Sequence, residues 1–399
     1  MSNHVVILGG AYAGITAMQK LSNTPGLNIT LIDQHPYHFL QTEGYELIAS
    51  NTPFEDTIVS LPALCANYDN VTFKHRRIVS VDNQNKIVHL EHEELVYDTL
   101  IIALGSVTKF FNCSKNVHNY SSGAKSLRGA LKLNQFFQDE LYKRLESNKK
   151  SKESFNIIVG GAGLSGVEIA AGMQEFFNRY YASNSLCCAK LQIHLIASRE
   201  TVLNGMHENI IKSASNRLEE LGVTLHTQSR LKKIEAHTAL LEDGTDINFD
   251  FMIFAGGTTT APCLRDIALE QSPNGQFVVD AYLRAVDNSS IYIVGDAAAL
   301  CDKKGRALPP TAQTARQSGK LAAQNVLRSY QNKKLKKSDL KIKGIAIALG
   351  GKYAVIDLGA VRLNGYPAYL IKKLIERFYK WPLWWKASQG FKKINTCDI

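Results

Sequence analysis

The 399-residue chain contains no run of about 18 apolar residues, so a membrane-crossing helix is not expected. Its start lacks a basic stretch followed by an unbroken apolar core. "HVVILGG" (4–10) reads instead as a strand entering a turn, which argues against a signal peptide and predicts a cytosolic chain. Cysteine is sparse. Its seven copies (Cys65, Cys113, Cys187, Cys188, Cys263, Cys301, Cys397) form no C-x-x-C pair and no zinc spacing, which predicts reduced, mostly structural thiols, adjacent Cys187 and Cys188 included. His35 and His38 in "HPYH" have metal-like spacing but no third ligand nearby, so the segment reads as a loop and no metal is expected. Tryptophan is rare, with three residues, all within 381–385. The 45% hydrophobic and 21% charged residues are ordinary for a soluble globular protein, and the length allows two or three domains.

Acidic charge is short of basic by ten, and the excess is unevenly placed. Residues 328–343 carry seven basic side chains against Asp339, and residues 361–399 carry eight against Glu376 and Asp398. Each stretch nets +6, together more than the chain's +10, so the remainder is slightly acidic. The first stretch reads as a solvated linker. The second predicts an anionic partner: a membrane surface, a nucleic acid or an acidic protein.

What is present is one strand–turn–helix–strand unit, written twice. "HVVIL" (4–8) is an apolar strand, "GGAYAG" (9–14) a tight turn, and "LNITLID" (27–33) a second strand ending in Asp33. Gly9 permits the sharp turn and Gly14 close helix packing, with Tyr12 and Ala13 between them. Ala11 breaks the G-x-G-x-x-G pattern where backbone approaches a pyrophosphate. Asp33 is placed to accept both hydroxyls of an adenosine ribose. Near 155 the unit restarts with "FNIIVG", then "GAGLSG" (161–166), a helix over 167–177 and the strand "LQIHLI" (191–196). Here Gly161, Gly163 and Gly166 complete the pattern, and the helix N-terminus offers free N–H groups to a pyrophosphate. Two copies imply two dinucleotide-binding domains. Glu168, taken alone, reads as a surface carboxylate favourable at a helix N-terminus. Further buried strands end in small residues: "YDTLIIALGS" with Gly105, "FDFMIFAGG" with Gly256, and "SIYIVGDAAAL" with Gly295 and Asp296. Asp296 is placed to accept a hydrogen bond from a ribitol hydroxyl.

These motifs, in this order over about residues 4–330, resemble the two-dinucleotide-binding flavoprotein superfamily. The resemblance implies FAD in the first domain and NAD(P)H in the inserted second one. Its disulfide reductases carry a C-x-x-x-x-C pair after the ribose acid, whereas residues 35–50 hold no cysteine, which excludes thiol–disulfide chemistry. Within the superfamily the chain most resembles type II NADH:quinone oxidoreductases. "PYHF" with "ELIAS" is similar to their early segment. "LPPTAQTARQSG" (308–319) is similar to their A-Q-x-A-x-Q-x-G signature through Ala312, Gln313, Ala315, Gln317 and Gly319. Gln313 and Gln317 are i,i+4 neighbours on one helix face. In that family this helix abuts the isoalloxazine, its second Gln lines the quinone pocket, and Glu168 matches a glutamate implicated near both substrates. The resemblance therefore implies Glu168, Gln313 and Gln317 as catalytic residues. It adds Ala312 and Gln313 to the FAD site of Gly9, Ala11, Tyr12, Ala13, Gly14, Asp33, Gly105, Gly295 and Asp296. The NAD(P)H site comprises Gly161, Gly163, Gly166, Glu168, Ser198, Arg199 and Gly256.

Three other readings stay open, one of them a non-catalytic flavin-bearing sensor or scaffold with negligible quinone turnover. A sulfide:quinone oxidoreductase needs a redox cysteine in the C-terminal third, and none lies between Cys301 and Cys397. A soluble ferredoxin- or rubredoxin-type reductase would dock an acidic protein on the basic end. The donor is also open. The NADH-preferring pattern ends its second strand with an acid, but "LIASRE" places Ala197, Ser198, Arg199 and Glu200 there. Discrimination against a 2′-phosphate is then lost, and Ser198 with Arg199 offer it donors, unless Glu200 substitutes. NADH stands first from the family, with NADPH beside it.

At the C-terminal end, 344–363 alternates as strands around a Gly350–Gly351 hairpin turn. Residues 366–393 read as helical, with Ile371, Leu374, Ile375, Phe378 and Trp381 at helical spacing and Lys372, Lys373, Glu376, Arg377 and Lys380 between them. Pro382 is expected to interrupt this helix before Leu383, Trp384 and Trp385. Clustered tryptophan beside basic residues suits an anionic membrane surface. Nucleic acid is not expected, since no recognition module accompanies the charge.

The expectation is an α/β chain with two Rossmann-like domains: FAD-binding 1–112 and 262–330, NAD(P)H-binding 113–261, and a C-terminal strand–helix membrane-association region 331–399. It would sit peripherally on the cytoplasmic face of the cell membrane, within a respiratory chain. There it would pass electrons from NAD(P)H via FAD to a quinone without pumping protons, with a homodimer left open.

Overall fold

Apolar strands entering glycine turns produce the scaffold twice. A computed structural model describes residues 3–110, 120–146, 155–182, 190–235, 237–265 and 267–395. Cys113, Cys187, Cys188 and Cys397 lie outside these residues, while Cys65, Cys263 and Cys301 carry free thiols. The first unit is β1 (Asn3–Leu8), α1 (Tyr12–Leu21) and β2 (Leu27–Asp33). It continues through α2 (Gln41–Ile48), α3 (Leu61–Cys65), β3 (Val71–His75) and β4 (Thr99–Ile102). The second unit runs β5 (Ser121–Gly123), α4 (Leu127–Glu146), β6 (Phe155–Gly160) and α5 (Leu164–Phe177). It closes with β7 (Leu191–Ile196), α6 (Glu208–Leu221), β8 (Thr224–His226) and β9 (Phe251–Phe254). The chain returns through β10 (Arg284–Ala285), β11 (Asn288–Ile293) and α7 (Ala312–Tyr330). It ends in β12 (Ile345–Ala348), β13 (Ala354–Asp357), β14 (Arg362–Asn364) and α8 (Gly365–Asn395).

The first sheet has strand order β10-β11-β4-β1-β2-β3, parallel except for β10. The second has order β5-β9-β6-β7-β8, parallel throughout. Both are buried on two faces, which is why their strands read as continuous apolar runs rather than alternations. In each, the ligand-facing crevice lies where the order reverses beside the first strand, at the carboxyl ends. Helix α7 closes the first crevice from behind. A Cβ at Gly319 would overlap the Ala13 carbonyl, so the small residue lets α7 lie directly on α1.

The two cores are stitched together by segments that cross between them. Leu47 and Ile48 of α2 lie in the core of the second sheet, as do Ile347, Leu349 and Val355 of the C-terminal hairpin. Leu383 and Ala387 of α8 lie in the core of the first. The hairpin turns at Gly350 and Gly351, both with positive φ.

Helix α8 departs from expectation in two ways. It runs unbroken through Pro382, which loses one backbone bond at a cost of about 3 kcal/mol. Contacts on the far side of the proline offset that loss: Trp384 Nε1 donates to the Ile58 carbonyl at 2.9 Å, and Asn67 donates to the Lys386 carbonyl at 2.7 Å. Two of its bases also turn inward, where all were expected on the polar face. Lys372 is buried and Lys380 bonds Glu43, while Leu374, Phe378, Trp381 and Trp385 are 52%, 79%, 54% and 65% exposed. Ile371 alone of the expected stripe turns partly inward. Among the described residues no helix is long and apolar enough to cross a membrane.

Gly390 is the far clamp of α8, because a Cβ there would overlap the Ala63 carbonyl of α3. Replacing it with leucine should release the last turns of the helix and lower stability by about 1–3 kcal/mol. Urea melts of the variant against the parent chain measure the loss, and limited proteolysis locates it to the C-terminal turns.

Candidate active site

The first turn is built by register. Leu8 pairs with Ile32, the Gly9 N–H donates to the Ile32 carbonyl at 2.8 Å, and Gly9 takes φ +103° to redirect the chain. Gly14 lies against the Gly9 carbonyl, which fixes the start of α1 beneath the turn. Ala11 is the N-cap of α1, extended at φ −97°, a conformation open to any residue, and it makes no side-chain cap. Its counterpart Gly163 caps α5 at φ −80°. Alanine at 11 is therefore unstrained, and the N–H groups of the first helical turn remain available to an anion. The Tyr12 side chain turns away from this surface. It packs edge-on to His38 at 4.7 Å between centroids and lies 5.1 Å from the Tyr379 ring of α8. Burial holds His38 neutral, its pKa pushed down to about 3.

Asp33 sits at the end of β2. Its carboxylate accepts the Gly10 N–H at 2.7 Å and the His35 N–H at 2.8 Å. Burial raises its pKa, and those two donors oppose the rise. Across the crevice, Gly295 turns at φ +67° and its N–H donates to Ser318 of α7 at 3.0 Å. That bond aims the following Asp296 into the same crevice, where Lys125 Nζ meets its carboxylate at 2.7 Å and Ser106 Oγ donates to it at 2.6 Å. A Cβ at Gly105, or at Gly163 and Gly257 in the second unit, would meet nothing within 4 Å. Open space over glycine backbone at both turns, with a carboxylate at each flank of the first, fits an adenine dinucleotide flavin. Gly9, Ala11, Gly14, Asp33, Gly105, Gly295 and Asp296 would hold it, with Ala13 and Ala312 behind the turn.

The second turn repeats the first. The Gly161 N–H donates to the Ile196 carbonyl at 3.0 Å, and Gly166 lies against the Gly161 carbonyl. Gly256 packs under Gly161, where a larger residue would collide, and Gly257 carries the open face. Ala197 follows β7, buried at 3% exposure, with Ser198 and Arg199 exposed beyond it.

Glu168 leaves this turn for a buried cluster. Its Oε1 accepts the Ala348 N–H of the hairpin at 2.7 Å and lies 3.3 Å from Lys372 Nζ of α8. Lys372 also bonds Glu376, one helical turn along. Burial pushes the Glu168 carboxyl above its ordinary range, with the Lys372 ammonium pulling the other way. For Lys372, burial alone disfavours the charge, but the carboxylates of Glu168 and Glu376 outweigh it and raise its pKa. Tyr45 closes the cluster, its hydroxyl 2.7 Å from Ser165, beside a cavity of about 10 Å3 that also borders Glu46, Glu168 and Lys372. That is room for about one water.

Gln313 and Gln317 share one face of α7, but neither amide stands free. Gln313 donates to the Gly344 carbonyl at 2.7 Å and accepts the Lys343 N–H at 2.9 Å. Gln317 donates to the Lys341 carbonyl at 2.9 Å and accepts its N–H at 3.3 Å. The two amides bond the strap 341–344 as a strand edge would. Two residues are added to those expected. Lys125 precedes α4 with no motif around it, and Lys372 looked like one more base on a polar helix face.

The comparisons agree with this geometry. A family model described as pyridine nucleotide-disulphide oxidoreductase matches residues 3–319. The chain belongs to that family. A type II NADH:quinone oxidoreductase of Haemophilus influenzae is 26% identical over 393 residues, covering 89% of this chain and 87% of the relative. One from Staphylococcus aureus is 24% identical, covering 93% and 94%. The solved structure of NDH2 from Plasmodium falciparum in complex with NADH has a TM-score of 0.86 at 18% identity, covering 99% of this chain and 98% of its own. The likeness in fold to that structure extends through α8, beyond the residues the family model matches.

Removing the Lys372 charge leaves two buried carboxylates facing each other. Lys372→Met should cost about 3–5 kcal/mol in urea melts, and adding Glu168→Gln should recover part of that loss. A single-variant loss below 1 kcal/mol would mean that the cluster is open to water.

Proposed function

We propose that the chain is a peripheral membrane flavoenzyme passing electrons from a nicotinamide nucleotide through FAD to a quinone; the names of its curated relatives give NADH and a quinone as their substrates. The observation that carries this reading is the Glu168–Lys372 contact, which joins the helix of the second dinucleotide turn to the C-terminal helix. FAD, when bound, supplies a carrier that accepts two electrons from one substrate and returns them to the other. Asp33 binds the adenosine ribose, and Asp296 with Lys125 holds the ribitol end. Gly161, Gly163 and Gly166 cradle the nucleotide pyrophosphate. NADH is the first donor by the relatives' names, and NADPH the second, favoured by Ala197.

A hydride from the nicotinamide carries one of the two hydrogens a quinol needs, so one further proton comes from solvent. Glu168 is the group proposed to relay it, and Lys372, held charged between Glu168 and Glu376, positions that carboxyl. Burial raises the Glu168 pKa against the pull of Lys372, the direction that favours a proton-donating carboxyl. The one-water cavity beside Tyr45 and Glu46 offers the exit toward solvent. Gln313 and Gln317 fix the strap 341–344 as one wall of the quinone approach. The exposed apolar stripe of α8 supports docking on a lipid surface, proposed as the cytoplasmic face of the cell membrane. Lys372 and Lys380 turn inward while Arg377, Lys392 and Lys393 stay exposed, so apolar insertion and attraction to anionic headgroups both contribute.

Purified chain should show a flavin spectrum and oxidise NADH or NADPH with a short-chain quinone. Glu168→Gln should lower kcat by about 10²-fold or more with little change in the spectrum. No bound flavin, or no quinone-dependent oxidation, would sink the proposal. In flotation with vesicles, Phe378→Asp with Trp381→Asp should abolish association while short-chain quinone turnover persists. Undiminished flotation of that variant would move the membrane contact elsewhere.

A further inference from the structure

The strand–turn–helix–strand unit occurs twice, and hydrogen-bond register aligns the copies residue by residue. In the first, Leu8 pairs with Ile32, the Gly9 N–H donates to the Ile32 carbonyl, and Asp33 follows. In the second, Gly160 pairs with Ile196, the Gly161 N–H donates to the Ile196 carbonyl, and Ala197 follows. Ala197 therefore stands where Asp33 stands, and Arg199 stands where His35 stands. The carboxylate that receives ribose hydroxyls in one copy is a buried methyl in the other.

The surroundings of that methyl are basic. Ser198 and Arg199 are exposed at the strand end. The Ser229 N–H donates to the Ala197 carbonyl at 3.1 Å, and the Gln228 N–H to the Arg199 carbonyl at 2.9 Å. These bonds bring exposed Arg230 alongside the same loop. Among the described residues, neither Arg199 nor Arg230 enters an ion pair. The nearby acids are Glu200, next along the loop, and Glu242 with Asp243, whose turn bonds to the Arg230 carbonyl and whose Asp243 faces His226.

We propose that Ser198, Arg199 and Arg230 form a subsite for the 2′-phosphate of an adenosine ribose, so that NADPH is a donor for this chain. The subsite rests on the nucleotide site proposed above. A carboxylate at 197 would repel a phosphate dianion, and its absence removes that penalty. A planar guanidinium matches two phosphate oxygens at once, and the serine hydroxyl supplies a third donor. Arg199 reaches from the loop that follows the strand, and Arg230 from the segment beside it, so the phosphate is approached from two sides.

Calorimetric titration of the full chain with adenosine 2′,5′-bisphosphate and with 5′-AMP tests this without turnover. The bisphosphate should bind about tenfold more tightly or better. Arg199→Glu, at an exposed position, should reduce that advantage to about one while leaving 5′-AMP affinity within about twofold. Ala197→Asp should invert the preference, and a melting curve checks that this buried change folds. Equal affinity for the two probes in the parent chain overturns the subsite but leaves the nucleotide site. A preference for 5′-AMP that disappears in Glu200→Gln overturns it in favour of Glu200 as the ribose acceptor. Binding of neither probe overturns both the subsite and the donor reading on which it rests.

Discussion

One ammonium group sets the geometry of the C-terminal half. Lys372 is taken out of water between Glu168, carried by the second dinucleotide unit, and Glu376, one turn along its own helix. An isolated buried charge is expensive, and three charges in contact are tolerated only while all remain in place. The contact fixes which face of α8 points inward. With Lys372 toward the body, residues 374, 378, 381 and 385 must point out, whatever their polarity. The exposed apolar stripe follows from an electrostatic requirement on the opposite side of the helix.

Much of the scaffold was legible in the sequence because backbone geometry restricts residue type over short distances. A turn that reverses at positive φ asks for glycine, and a helix pressed on a carbonyl asks for glycine again, so Gly9, Gly14, Gly161 and Gly166 announced themselves. Ala11 looked like a fault only because the pattern counts a glycine at a position where the chain is merely extended. The hairpin at Gly350–Gly351 was readable for the same local reason.

What stayed hidden depends on contacts across long stretches of chain. Lys125 reaches Asp296, and Lys372 reaches Glu168, with no periodicity to signal either pair. Gln313 and Gln317 fell on one face as spacing required, but spacing does not name the partner, and the partner is a strap of backbone. Pro382 obeyed its own chemistry and was overruled by Trp384, Asn67 and Gly390 anchoring the helix beyond it. The two dinucleotide units show the same limit inside one molecule. Their frames are alike, and a single exchange of Asp33 for Ala197 gives them opposite electrostatics.

The inward-facing charges of α8 also decide how the molecule can move. Lifting the helix would strand Glu43 and Glu168 without their lysines, so it cannot swing out as a hinged anchor while the body stays folded. On the proposed membrane reading, α8 acts as a keel fixed to the hull. The distance from the lipid to the flavin crevice is then constant, and a quinone must rise to meet the site.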